Sequence, residues 1–295
     1  MAKARALDRR RKSIANIRRI TRTMELIATA RFKRAMDRAH SATAYTRRIT
    51  ALVADLARAG LEVSHPLLEG REEVRSAVLL VLTGNRGLCG GYNSNVQRAG
   101  LARWKELQAE VPQASLEISG KRGIAAFRFR GIAADQTYTH LEDKPRFEEV
   151  EVLANRYLDA YATGQLDRLD VAYTRFDNIA KQTVTVETLL PLGSLSGAPE
   201  VASSQPGGQS MYEFFPSAQS ILEEVVPTSF KVRLFKSFLD AAVSEQVARM
   251  VAMKAATENA GKLIKDLSMK YNRARQSQIT GEIMEVLGGV EALKG

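Results

Sequence analysis

The sequence predicts an α/β fold with a long antiparallel coiled coil, in which N- and C-terminal helices pair as a shaft around a central α/β domain. Three observations predict it. Each end of the 295-residue chain carries a long stretch with apolar or small residues at steps of three and four and almost no helix breakers. The middle changes to short apolar runs alternating with helical patterns, as α/β sheets do. The two terminal stretches are of similar length and flank the middle, so they can pair antiparallel.

The first stretch, 1–60, is read as one shaft helix. From 12 to 59 it holds neither Gly nor Pro, and Ile14, Ile17, Thr21, Met24, Ala28, Phe32, Ala35 and Ala39 recur on one side, continuing to Ile49, Leu52 and Leu56. That implies a helix of about 45–55 residues, far beyond the globular mean of about 11–12. Its apolar seam is narrow and rich in alanine, which requires close packing on a partner helix. The C-terminal stretch, 216–295, supplies the partner. After Pro227 it runs helix-like from 228 to 287, with Val232, Phe235, Leu239 and Ala242 on one side, then Ala248, Ala252 and Ala255, and glycine only at Gly261 and Gly281. Two amphipathic helices lying on a globular core is the other arrangement, but the middle is too small to cover both.

The middle, 71–191, is read as a Rossmann-like α/β domain. Val78 to Leu82 is a continuous apolar run of the buried-strand kind, followed by a glycine-rich turn and a helix over 95–108. Leu116 to Ile118 reads as a second strand. Helices follow over 123–129 and 148–161, then strands over 170–176 and 183–190. Segment 192–215, richest in Gly, Ser and Pro from 193 to 210, reads as a flexible loop.

Composition narrows the function. The net charge of +10 is local: residues 1–48 carry 15 Lys or Arg against 3 Asp or Glu, leaving the remainder slightly acidic. A basic arm suits nucleic acid, an anionic membrane surface or an acidic protein face. For nucleic acid it offers few stacking aromatics, Phe32 and Tyr45, and no reading module; a basic coiled-coil nucleic-acid binder is nevertheless the alternative outside any family. The single cysteine, Cys89, excludes an internal disulfide and any thiolate zinc site needing two sulfurs, and three scattered histidines do not build a metal site. No run approaches the ~18–20 apolar residues needed to span a bilayer. The Arg-rich start resembles a transit peptide, but its helical pattern continues unbroken.

The chemistry-bearing candidate is the turn TGNRGLCGGYN, 83–93. Glycines between a strand and a helix can cradle phosphate. The spacing departs from both known cradles: counted from Gly84, the places of a P-loop's Gly-Lys-Ser/Thr hold Cys89, Gly90 and Gly91, and Gly84, Gly87 and Gly90 step by three and three rather than two and three. A tight surface turn shaped for close approach is the favoured reading. Cys89 has no His or carboxylate near it in sequence to activate it, and the acidic pairs Glu72-Glu73, Glu148-Glu149 and Glu223-Glu224 sit in polar stretches. No catalytic constellation is expected.

Three segments carry a family likeness: ITRTMELIATARFKRA (20–35), the turn TGNRGLCGGYN, and SEQVARMVAMKAATENAGKLIKDLSMKYNRARQSQITGEIMEVLGG (244–289). Together they resemble the gamma subunit of F-type ATP synthase, and the lone Cys89 favours bacterial over chloroplast members. The resemblance implies a non-catalytic rotor shaft without cofactor or nucleotide of its own. It implies as partners the alpha and beta subunits, the epsilon subunit and the c-ring, with the membrane met only through the complex, at the cytoplasmic face of the bacterial membrane. It further implies beta-subunit contacts at Met24, Arg275, Gln276 and Thr280, with the turn bringing Arg86 and Cys89 to an acidic lever loop of beta. Tyr45 and Tyr212 would meet epsilon and the c-ring. The family's turn commonly has Asp before its Arg; this chain has Asn85.

Overall fold

The computed structural model describes residues 2–58, 66–68, 70–71, 73–141, 144–192 and 218–293. Ten elements follow in order: α1 (Ala2–Arg58), β1 (Ser76–Leu82), α2 (Tyr92–Glu110), β2 (Gln113–Ser119), α3 (Lys121–Phe129), β3 (Gln136–Tyr138), α4 (Phe147–Ala162), β4 (Arg168–Phe176), β5 (Gln182–Leu190) and α5 (Ala218–Ala292). The chain divides into two compact units, one made of 1–30 and 249–295, the other of 31–248. Both boundaries between these units fall inside the long helices α1 and α5. The part of α5 nearest the middle packs with the sheet, because Val226, Phe230, Leu234 and Phe238 belong to its core.

In the larger unit the sheet order is β3-β2-β1-β4-β5. The first four strands are mutually parallel and β5 returns antiparallel beside β4. Leu79, Leu80 and Val81 of β1 are all wholly buried, as a strand covered on both faces must be. Leu79 and Val81 pack with Val96, Trp104 and Leu107 of α2 and Phe127 of α3. Leu80 and Leu82 pack with Val150, Tyr157 and Tyr161 of α4 and the first part of α5. The winding reverses between β1 and β4, which puts the topological switch point at their carboxyl ends, beside the glycine-rich turn.

Local chemistry explains the boundaries. α2 stops at Val111, which is extended because Pro112 follows it. α3 closes on Gly131 at φ 74°, with the Gly131 amide bonded to Arg128 O and Ile132 to Phe127 O, a glycine-terminated helix end. Glu148 and Glu149 sit in the first turn of α4, where the helix dipole favours negative charge. The strand β3, three polar residues long, has no apolar alternation and was not expected from the sequence; its register comes from pairing with β2. α5 starts at Ala218, ahead of Pro227, rather than after it. Buried Val226 and Phe230 on either side hold the helix through the proline, which loses one backbone bond.

The buried face of α1 also differs in detail from expectation. Glu25, Ala28 and Ala39 are buried and Thr21, Phe32 and Ala35 half-buried, whereas Ile17 and Met24 are 45% and 37% exposed. Positions 21, 25, 28, 32, 35 and 39 alternate steps of four and three, the 3.5-residue period of a left-handed coiled coil. In the smaller unit α1 and α5 pair antiparallel. Thr257 Oγ1 donates to Thr21 Oγ1 at 2.9 Å, and the Arg11 guanidinium stacks over the Tyr271 ring at 5.0 Å.

Candidate partner-contact surfaces

The glycine-rich turn is built as a braced scaffold. Thr83 ties it to the neighbouring strand, its hydroxyl donating to Ser119 O at 2.9 Å and accepting from the Gly123 amide at 2.9 Å. The Gly84 amide donates to Asn93 Oδ1 at 2.8 Å, and Asn93 Nδ2 donates to Arg86 O at 3.1 Å and lies 3.1 Å from Cys89 Sγ. Asn85 uses both ends of its carboxamide: Nδ2 donates to Thr139 O at 3.0 Å and Oδ1 accepts from the Lys121 amide at 3.0 Å. An Asp here would keep the acceptor and lose the donor, so Asn85 adds a brace between the turn and the segment after β3. Below the turn, Tyr92 OH donates to Ala241 O of α5 at 3.1 Å.

A Cβ on Gly84 would stand 2.8 Å from the carboxyl carbon of Glu245, which is 1% exposed. The space beside Gly84 is therefore filled by a buried side chain of α5, which leaves no room for anything but glycine there.

At the tip, Leu88 has φ 63°, a conformation that costs an L residue about 1–2 kcal/mol, and it is 60% exposed. Arg86 is exposed beside it. Cys89, expected at a beta contact, is 2% exposed and its thiol faces Arg86 O and Asn93. It shapes the turn from inside, while Arg86 and Leu88 stand at the surface. The resemblance had put Cys89 at the contact together with Arg86, but its thiol lies inward, 3.1 Å from Nδ2 of Asn93 four residues on.

In the smaller unit, Met24 on α1 and Arg275, Gln276 and Thr280 on α5 are all exposed. The structure thus groups these four in one unit and Arg86 with Cys89 in the other. Ile279, Ile283, Met284, Val286, Leu287 and Val290 are each more than two-fifths exposed on the last turns of α5. So much apolar surface on one helix marks a place that another protein covers. The side chain of Tyr45 and all of Tyr212 lie outside the described residues.

A second polar cluster lies within the larger unit. The Glu117 carboxylate of β2 accepts from Tyr138 OH at 2.8 Å, Tyr157 OH at 2.6 Å and Arg156 Nη2 at 2.6 Å. Burial, and then the neighbouring Glu117 charge, push both tyrosine hydroxyls well above their ordinary value, so they stay protonated donors. The cluster is fully used in fastening α4 to the sheet. Among the described residues no group of His, Cys, Asp and Glu is arranged to hold a metal ion, and no helix is long and apolar enough to cross a membrane.

A profile described as ATP synthase matches residues 3–293. Over the full length of both proteins the chain is 62% identical to the ATP synthase gamma chain of Rhodopirellula baltica. The chain belongs to the ATP synthase gamma-chain family. It is 36% identical to the gamma chain of Leptospira biflexa serovar Patoc across 99% of this chain and all of the relative, and 34% identical to that of Burkholderia thailandensis across 96% of each. Among solved structures, a chain of the Euglena gracilis mitochondrial ATP synthase, seen with OSCP, F1 and c-ring in rotational state 3, superposes with TM-score 0.65 over 99% of this chain and 95% of its own. A chain of that enzyme's rotor in rotational state 1 gives 0.62 over 94% and 99%. These two are 18% and 17% identical and speak to the fold, which they share from end to end. The family's role is that of central rotor shaft.

The residues that sequence reasoning passed over are Leu88, Asn93 and Glu245. Leu88 was legible as an apolar side chain amid four glycines. Asn93 and Glu245 were not, since their importance depends on which backbone atoms the fold brings to them.

Proposed function

We propose that this chain transmits rotation between a membrane-embedded c-ring and the catalytic beta subunits, standing within a ring of alternating alpha and beta subunits and carrying epsilon at its base. In this reading it hydrolyses nothing and holds no nucleotide itself, and it works at the cytoplasmic face of the bacterial membrane. The observation that carries the reading is end-to-end identity of 62% with an ATP synthase gamma chain. The exposed apolar end of α5 supports it, since a shaft turning inside a protein ring needs a surface that is apolar yet free of fixed ion pairs.

A shaft drives a chemical cycle only if its faces differ, because a partner that binds every orientation equally shifts no equilibrium. Moving a beta subunit from about 1:99 to 99:1 between two conformations takes roughly 5.5 kcal/mol of differential contact. Hydrogen bonds from charged groups, at about 1.5–3 kcal/mol each, can supply that from a few side chains. Arg275, Gln276 and Thr280, with Met24, provide one such face, and Arg86 at the turn provides a second contact at the acidic lever loop. Tyr45 and Tyr212 are assigned to the epsilon and c-ring end.

Mixing the purified chain with alpha and beta subunits tests the reading. A co-eluting complex whose ATPase turnover depends on the chain is expected; no complex, with salt-sensitive binding to nucleic acid instead, would favour the basic coiled-coil alternative. Within an assembled enzyme, the double variant Arg275→Ala, Gln276→Ala is expected to lower ATP synthesis and coupling. Intact coupling would remove both residues from the driving face.

A further inference from the structure

The seam of α1 continues back from Thr21 at steps of three and four, through Arg18, Ile14, Arg11 and Leu7 to Ala4. One position of that heptad is therefore filled in turn by Ala4, Arg11, Arg18 and Glu25, where a two-helix coil ordinarily places an aliphatic side chain. Glu25 is buried, with Oε1 accepting from Arg22 at 2.8 Å and Oε2 without a hydrogen-bond partner among the described residues. On the paired helix, α5 offers Thr257, Ala260, Ile264, Leu267, Tyr271 and Ala274 at the same alternating steps. The polar members of the two seams meet. The Arg11 guanidinium lies over the Tyr271 ring, Arg18 Nε lies 3.7 Å from where a Cβ on Gly261 would stand, and Thr257 Oγ1 donates to Thr21 Oγ1.

In such a seam the polar side chains choose the register. Alanine knobs are small and fit shallow holes almost equally well after a slip of one heptad, whereas a charged or polar residue at a core position specifies register at a cost in stability. A slip of one heptad would displace α5 along α1 by about 10 Å. The candidate contact residues are tied to this seam on both helices, since Arg275 stands one turn beyond Tyr271 and Met24 directly precedes Glu25. We propose that Arg11 and Tyr271 are positioning residues of the rotor: their stack, with the Thr21–Thr257 hydrogen bond, locks the one register in which Met24 on α1 and Arg275 and Gln276 on α5 present a single driving face. Neither residue has to touch another subunit to do so. The inference rests on the rotor reading and adds to it the side chains that hold the driving face in shape.

The test compares wild-type chain with Tyr271→Leu, Arg11→Leu and Tyr271→Phe. In the free full-length chain, spin labels on Ser13→Cys and Asn272→Cys, both exposed positions, report the register as a distance, while Cys89, 2% exposed, stays unlabelled. In the assembled enzyme in sealed vesicles, ATP-driven proton pumping per ATP hydrolysed reports coupling. Wild type and Tyr271→Phe, which keeps a ring face for the guanidinium, are expected to give one sharp distance and full coupling. Tyr271→Leu and Arg11→Leu each put a leucine into the seam, so the thermal midpoint should hold or rise, the distances should spread to a second population about 10 Å away, and pumping per ATP should fall several-fold. Wild-type coupling in Tyr271→Leu overturns the proposal. So does lost coupling with the distance still single, which would make Tyr271 a direct contact of another subunit. A lowered midpoint with spread distances overturns it too, because the stack would then hold the helices together rather than choose their register. Uncoupled wild-type enzyme would sink the rotor reading instead, and the distances in the free chain would still judge the lock.

Discussion

The two units of this chain treat their apolar side chains in opposite ways. In the unit of 31–248, β1 is buried on both faces and its two core clusters close around it, and only Leu88, Phe129, Val152, Ile179 and Val186 stand out as exposed large hydrophobics among the described residues. In the unit of 1–30 with 249–295, fifteen such residues are exposed, and the buried set is small: Ala4, Ala28, Met253, Ala260 and Leu267. One unit completes its own core. The other buries a thin seam of small residues and leaves the larger side chains for surfaces that the chain does not contain. Stability is therefore concentrated in the first unit and interaction in the second.

The sharpest break in that contrast is expected at Gly120, which has φ 101° and would place a Cβ 2.1 Å from Thr83 O. Gly120→Ala should cost more than about 4 kcal/mol and leave little folded chain, read by loss of soluble protein and of a cooperative thermal transition. Next comes Leu79→Ala in the closed core, expected to cost about 2–5 kcal/mol in chemical denaturation. If it instead behaved like a surface substitution, β1 would not be the centre of the core.

Truncating similar side chains in the other unit should move a different readout. Ile283→Ala with Leu287→Ala, at residues 54% and 57% exposed, should change the free chain's stability by about 1 kcal/mol or less. Yet the pair should weaken assembly with alpha and beta subunits by on the order of tenfold per residue. Equal loss in both readouts would mean that these residues pack within the chain.

The smallest effect concerns pH. Asp240 on α5 is buried, which raises its carboxyl from the ordinary 3.8, while Lys236 at 2.7 Å pulls the other way. A raised folded-state value means that the group's stabilising contribution is complete below 3.8 and is lost as pH rises through the folded value. Asp240→Asn, which resembles the protonated form, should therefore gain relative to wild type as pH rises from 4 toward 7. Thermal midpoints measured across that range check the sign, and a gain that grew toward acid would refute it.

Much of this was legible in the residues. The absence of Gly and Pro from 12 to 59, the alanine spacing and the apolar run at 78–82 are local signals, and local signals suffice for a helix and a doubly buried strand. β3 was not legible, because Gln136, Thr137 and Tyr138 have no strand pattern of their own and take their conformation from β2. The start of α5 was not legible either, since Pro227 reads as a stop until Val226 and Phe230 are seen in the core. The candidate contacts divide the same way. Met24, Arg275, Gln276 and Thr280 were placed by likeness and are exposed, whereas Cys89 was placed by likeness and is buried.

By itself the sequence determined the element types apart from β3, the antiparallel pairing of the long helices and the family, because periodicity, breakers and extended motifs are properties of the chain in order. Only the tertiary structure decided that Glu245 fills the space over Gly84, that Asn85 bridges two segments, that Cys89 faces inward and that Leu88 is held outward under strain. The first two depend on atoms far apart in the chain, such as Gly84 and Glu245, meeting at distances that packing alone sets, and the last two on the hydrogen bonds Asn93 makes within the turn.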